Sequence, residues 1–247
     1  MHNAAFRALG LDAVYLAFDV PPAGLGAAIA GARALGIRQL AVSLPHKEAV
    51  MAHLDEVEET AHRIGAVNTV TLRDGRLVGS NTDWLGAVRA LEDHAKLRGA
   101  RAVVLGAGGS ARAVVFGLRE RGAQVTVLNR TTERAETLAA ELGAEAAGSL
   151  AELAATPHEV LVNTTSVGLR SDASPVDASA IDASAVVMDA VYDPERTRLL
   201  RDAEARGARC VSGKWMLVHQ AAEQLAQWTG REAPLEVMSA AFDEAGQ

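Results

Sequence analysis

Arg101-Ala102-Val103-Val104-Leu105 runs directly into Gly106-Ala107-Gly108-Gly109-Ser110-Ala111. The first five residues read as a short buried strand. The glycines supply a tight turn, and the residues from about Ser110 to Arg121 predict a helix. A strand, a G-x-G-x-x-A turn and a helix in that order form a dinucleotide fingerprint. The chemistry asks for glycine because a side chain would hold the backbone away from a pyrophosphate. Open N–H groups at the helix start then face the negative charge. A tight turn in an α/β domain without a ligand would use the same residues.

Working outward, Gln124–Leu128, Val160–Val162 and Val186–Met188 read as further strands, and Thr132–Leu142 as a helix. Strands separated by helix-length segments imply crossovers and a parallel sheet. The expected fold class is therefore α/β, with a Rossmann-type doubly wound domain over residues 86–213. Before it lie a helix from Ala23 to Leu35, a strand from Arg38 to Leu44 and a helix from Lys47 to Leu54. A hairpin follows, with Ala66–Leu72 and Arg76–Val78 flanking Asp74-Gly75. Helical periodicity resumes from Trp84 to about His94, and again near Met216–Trp228 and Leu235–Phe242. Residues 1–85 and 214–247 are expected to form a second domain, with the site in the cleft between the two. The Ala-Ser-Asp run around Ser171–Ala185 reads as a surface loop with short strand or helix pieces.

The second strand of the nucleotide domain ends in Leu128-Asn129-Arg130-Thr131, with Arg134 one helical turn further on. A domain that prefers NAD usually carries an acid here for the ribose hydroxyls. Two guanidiniums, a hydroxyl and an amide stand in its place. Arginine offers a phosphate a planar fork of donors, so these residues read as a 2′-phosphate pocket and the cofactor as NADP(H). The plainer reading has Thr131 capping the helix and the arginines solvated.

Composition narrows the class further. The chain has 247 residues, 49% of them hydrophobic, enough for one large domain or two modest ones. A net charge of −7 with few aromatics argues against a nucleic-acid partner. No apolar run approaches the roughly 20 residues of a membrane helix, and no signal peptide is evident. A single cysteine, Cys210, fits a reducing, cytoplasmic setting. The histidines show no metal-ligand spacing, so no metal is assigned. The expected partner is a small molecule, on a monomer or homodimer.

Three polar motifs precede the nucleotide domain: Ser43-Leu44-Pro45-His46-Lys47, Gly65-Ala66-Val67-Asn68-Thr69 and Gly79-Ser80-Asn81-Thr82-Asp83-Trp84-Leu85-Gly86. Three more follow the glycine turn: Val162 to Gly168, Asp189-Ala190-Val191-Tyr192-Asp193-Pro194 and Gly213 to Gln220. Taken in order over nearly the whole chain, these resemble segments of the shikimate dehydrogenase family. The resemblance implies NADPH-dependent, reversible reduction of 3-dehydroshikimate to shikimate, on the route to chorismate and aromatic amino acids. It makes Lys47 and Asp83 the catalytic pair. It assigns Asn68, Asp83, Gln220 and Tyr192 to the substrate side, and Ser43 bears on substrate choice. It places Thr164, Ser166, Gly213 and Met216 by the cofactor, beside Gly106, Gly108, Gly109, Ser110, Asn129, Arg130, Thr131 and Arg134.

The chemistry of the pair stands independently. Ketone reduction needs a hydride on carbon and a proton on the developing alkoxide. A lysine ammonium can stabilise that oxygen and give up a proton. A nearby carboxylate orients the ammonium and favours its charged form. Which of the two moves the proton stays open. Plainer roles exist for each: a solvated lysine, a helix-start acid for Asp83, hairpin capping for Asn68 and Thr69, and an exposed helix face for Gln220.

The sequence also departs from the family. Relatives begin with a strand and a S-x-S-P-x-x-H-N segment whose serines bind the substrate carboxylate. Here Met1-His2-Asn3 enters in the middle of that segment. The expectation is a protein starting roughly 20 residues earlier, the length of a strand plus a turn. Without them, exposed apolar surface and weak turnover are expected. The bulky pair Lys214-Trp215 and a serine at 43 raise the question of another ring acid. The alternatives are a quinate/shikimate enzyme using NAD, and a weakly active or non-catalytic ligand-binding homologue.

Overall fold

A computed structural model describes residues 1–245. The chain divides into two compact units, Met1–Thr82 with Ala221–Ala245, and Asp83–Gln220.

The second unit is a six-stranded sheet. Its strands are β5 (Arg101–Leu105), β6 (Gln124–Asn129), β7 (Ala146–Ser149), β8 (Val160–Asn163), β9 (Val186–Asp189) and β10 (Arg209–Val211). The spatial order is β7-β6-β5-β8-β9-β10, and every neighbouring pair is parallel. That is the doubly wound order, whose direction of travel reverses between β5 and β8. The continuous apolar runs follow from cover on both faces. Ala102 and Val104 of β5 pack toward helices α4 (Asp83–Glu92), α5 (Gly109–Glu120) and α6 (Thr132–Leu142). Val103 and Leu105, at the alternate positions, pack toward α7 (Arg198–Ala205) and the 3-10 segment at Leu150–Ala155.

Two of these strands escape a reading from pattern. β7 is Ala-Ala-Gly-Ser, with little strand preference of its own, and exists because β6 offers it a ladder. β10 is three residues long. The expected loop at 171–185 is largely irregular, with one 3-10 turn at Ala178–Ala180.

The first unit has a four-stranded sheet in the order β1-β3-β4-β2. Its strands are β1 (Gln39–Ala41), β2 (Glu56–Val57), β3 (Thr69–Arg73) and β4 (Arg76–Ser80). β3 and β4 form the hairpin around Asp74-Gly75, both at positive φ (48° and 78°), as a two-residue turn of this kind requires. Leu25 and Ile29 of α2 (Leu25–Ala34) cover the sheet with Val50, Ala61, Val67, Val70 and Leu77. Ala61 comes from α3 (Glu59–Ile64).

The helix expected at Lys47–Leu54 is not there. The Lys47 carbonyl accepts from Val67 N–H at 2.7 Å, so it is withdrawn from helical bonding. Met51 N–H turns to Glu48 instead, and a 3-10 turn covers Ala49–His53. The strand expected over Arg38–Leu44 is shorter, Gln39–Ala41, flanked by backbone bonds from Leu72 N–H to the Arg38 carbonyl and from Val42 N–H to the Asn68 carbonyl.

At the start of the chain, α1 (His2–Ala8) packs on α9 (Leu235–Ala245). His2 is stacked on Tyr15 with centroids 4.5 Å apart and lies 5.2 Å from Trp228 on α8 (Gly213–Thr229). Its burial pulls the imidazole down to about 4. The Asn3 amide brackets the Tyr15 backbone, accepting from its N–H at 2.6 Å and donating to its carbonyl at 2.9 Å. Around Tyr15, Val14, Leu16 and Phe18 are exposed at alternate positions. Among the described residues no helix is long and apolar enough to cross a membrane.

Candidate active site

In the second unit the glycine turn leaves the C-terminal end of β5, at the point where the strand order reverses. Gly106 has φ 113°, and a Cβ there would lie 2.6 Å from Thr164 Oγ1. Thr164 follows the end of β8, and its hydroxyl donates to the Leu105 carbonyl at 2.6 Å. The turns after β5 and β8 are thus locked together over a backbone that tolerates no side chain. Gly108 precedes α5 in extended conformation, with open space where a Cβ would stand. Gly109 and Ser110 are the first residues of α5, so their N–H groups belong to its positive end. A cradle that a Cβ would fill, at a helix N-terminus, fits a pyrophosphate.

Asn129 ends β6, and its amide donates to the Thr131 carbonyl at 2.9 Å. Arg134 reaches from α6 to the Ala107 carbonyl at 3.4 Å, which puts a guanidinium beside the glycine turn. Arg130 and Thr131 are exposed. The Thr131 side chain makes no capping bond to α6, so the plainer role weighed for it is absent. Ser166 is exposed in the turn after β8.

Asp189 closes β9 as a carboxylate with no exposure. It accepts from Asn163 Nδ2 at 2.9 Å, from Val191 N–H at 3.0 Å and from Thr197 Oγ1 at 2.7 Å. Burial pushes its carboxyl up to about 6, against the pull of those three bonds. Asn163 in turn accepts from the N–H and hydroxyl of Thr165. The loops after β8 and β9 therefore share one buried anchor. Gly213 opens α8 against the carbonyls of Asp189, Ala190 and Val191, where a Cβ would come within 2.5 Å of the last. Tyr192, in the loop after β9, is 44% exposed.

The bulky pair after Gly213 splits. Lys214 is buried with its Nζ 5.2 Å from the Trp215 ring, while Trp215 is half-exposed and faces His219. Met216 is buried in the core. On α4, a Cβ at Gly86 would meet the Met216 carbonyl at 2.6 Å and Gln220 Cβ at 2.9 Å. Asp83, buried, lies one turn before Gly86 on that face, so it and Gln220 belong to one close helix crossing. Gln220 donates to its own helix at Leu217.

In the first unit, backbone bonds bring two motifs together. Val42 N–H donates to the Asn68 carbonyl and Val67 N–H to the Lys47 carbonyl, both at 2.7 Å. Ser43 is exposed and Lys47 half-buried. Asn68 is buried, with Oδ1 accepting from Thr82 N–H at 2.8 Å and Nδ2 donating to Thr82 Oγ1 at 2.9 Å. The hairpin-capping role weighed for Asn68 is real, since it ties the start of β3 to the residues leaving β4. Two groups had no role assigned from sequence: Asp189, quoted within a motif as the acid ending an apolar strand, and Gln224, whose position on α8 gave no signal.

Family models match the chain in three places. They are the shikimate dehydrogenase substrate binding domain at residues 1–70, shikimate / quinate 5-dehydrogenase at 88–173 and the shikimate 5'-dehydrogenase C-terminal domain at 213–241. Shikimate dehydrogenase (NADP(+)) of Thermococcus kodakarensis is 52% identical, covering 93% of this chain and 85% of that protein. The crystal structure of the Thermus thermophilus shikimate 5-dehydrogenase with NADP(H) and shikimate is 42% identical, with a TM-score of 0.92 over 99% of this chain and 92% of that one. A shikimate dehydrogenase crystallised with NADP+ has a TM-score of 0.93 and 38% identity, over 100% of this chain and 90% of that one. With such identity over nearly full length, the chain belongs to the shikimate dehydrogenase family.

Proposed function

We propose that the chain catalyses the reversible, NADPH-dependent reduction of 3-dehydroshikimate to shikimate, in the biosynthesis of chorismate and the aromatic amino acids. The observation that carries the cofactor half is the Gly106 turn, closed to any side chain by Thr164 and flanked by Arg134. In this reading Gly106, Gly108, Gly109, Ser110 and Thr164 hold the pyrophosphate side, and Asn129, Arg130, Thr131 and Arg134 the 2′-phosphate. Gly213 and Met216 border the nicotinamide, and Ser166 lies near the cofactor. When bound, NADPH supplies a hydride to the carbonyl carbon. Lys47 hydrogen-bonds the carbonyl oxygen, stabilises its developing charge and delivers the proton, with Asp83 as its carboxylate partner. Asn68, Gln220 and Tyr192 meet the ring acid, and Ser43 bears on its identity. Residues 1–85 with 214–247 act as the substrate domain, and 86–213 as the NADP domain.

The reading has the enzyme in the cytoplasm as a monomer or homodimer. Its test is a matrix of shikimate and quinate against NADP and NAD, followed by absorbance. Shikimate with NADP should give the highest kcat/KM. Lys47→Ala should lower kcat roughly 100-fold or more with NADPH binding intact. Full turnover by a folded Lys47→Ala protein rules out its role.

A further inference from the structure

Gln224 of α8 is buried at 1% exposure in the first unit, where a leucine or methionine would fill the space. Its Nε2 donates to the Thr69 hydroxyl at 2.9 Å and to the Asn68 carbonyl at 3.2 Å. Its Oε1 is buried with no hydrogen-bond partner among the described residues. A polar atom buried in that way is costly, so an amide at this position is explained by its two donors rather than by packing.

The direction of the bonds matters. A glutamine nitrogen carries only hydrogens, so Thr69 Oγ1 must accept from it. The Thr69 proton is then turned toward Asn68 Oδ1, which it reaches at 2.8 Å. Asn68 Oδ1 thus accepts from the Thr69 hydroxyl and from Thr82 N–H, one from each end of the hairpin. These fix which edge of the Asn68 amide is carbonyl and hold its torsion. Three residues along the same helix face, Gln227 accepts from Ser80 Oγ at 3.1 Å. Thr69 and Ser80 are cross-strand partners, so α8 grips both strands of the hairpin at one rung.

We infer that Gln224 is a positioning residue for substrate recognition, acting through the Thr69 hydroxyl to orient the Asn68 amide toward a ring hydroxyl. This rests on the shikimate reading and on Asn68 as a substrate contact. A bound vicinal hydroxyl is read by a fixed amide edge, and a loosened amide trades its protein partners against the ligand. The relay therefore acts on substrate affinity and leaves the dinucleotide alone.

The test compares Gln224→Met, Thr69→Val, Thr69→Ser and Asn68→Ala by steady-state kinetics with shikimate and NADP, and by NADPH fluorescence titration. Loss of one oriented hydrogen bond predicts a KM for shikimate raised about tenfold in Gln224→Met and in Thr69→Val. NADPH affinity should stay within about twofold in both, since neither side chain belongs to the nucleotide unit. Thr69→Ser keeps the hydroxyl and should keep the normal KM. The Gln224→Met/Thr69→Val double variant should be no worse than the poorer single one, because both break the same chain. If Gln224→Met fails to fold, the Thr69→Val and Thr69→Ser contrast carries the test alone. Normal KM in the folded variants, with Asn68→Ala still impaired, overturns the relay and leaves the functional reading standing. An unaltered chain that does not oxidise shikimate overturns both.

Discussion

Thr164 and Gly106 occupy one small volume: the threonine hydroxyl, committed to the Leu105 carbonyl, stands 2.6 Å from where a Cβ on Gly106 would be. Gly106→Ala must either break that bond or move the turn, and its φ of 113° adds strain of its own. The combined cost of roughly 1–3 kcal/mol falls on the cradle, so NADPH should bind about tenfold or more weakly. Fluorescence titration of NADPH checks it, and unchanged affinity would show that this turn does not hold the pyrophosphate.

The arginines predict cofactor preference. If Arg130 and Arg134 hold the 2′-phosphate as proposed, removing their guanidiniums deletes donors to a group that NAD lacks. Arg130→Ala with Arg134→Ala should lower kcat/KM for NADP on the order of 100-fold and change that for NAD little. An equal loss with both cofactors would assign the arginines to another part of the site.

Asp189 makes stability depend on pH. Its carboxyl is held up to about 6 by burial, above its ordinary unfolded value. A raised folded pKa means the folded state holds the proton more tightly. The favourable contribution is full below the unfolded pKa and is lost as pH rises through about 6. Asp189→Asn removes the charge and keeps most of the contacts. Its melting temperature relative to the unaltered chain should therefore rise between about pH 4 and 7, by an amount on the order of 3 kcal/mol in stability. A difference that is flat with pH would mean the carboxylate is compensated by its three donors.

Asn3 predicts a local stability effect. Its two bonds to the Tyr15 backbone imitate one rung of a ladder for a segment that, among the described residues, lies outside both sheets. Asn3→Ala should cost about 1–3 kcal/mol, a drop of several degrees in melting temperature, because it leaves both Tyr15 groups without that partner. Hydrogen exchange at Tyr15 should accelerate with it.

The elements read well from sequence are those whose own pattern suffices. The strand Arg101–Leu105 and the helix Thr132–Leu142 fall where the apolar runs and periodicity place them, and Asp74-Gly75 makes its hairpin. The failures have one cause. Lys47–Leu54 is not a helix because a carbonyl from that stretch is claimed by Val67, distant in sequence. Ala146–Ser149 is a strand only because β6 lies beside it.

The same division runs through the site. Residue types alone determined the glycine turn, the missing acid after β6 and the order of polar motifs, because glycine geometry and charge are local properties. Only the tertiary structure decided that Thr164 closes the turn, that Asp189 anchors two loops and that Gln224 reaches Thr69. Those facts are hydrogen bonds between distant positions. Their strength depends on burial, and burial exists only after the chain has folded.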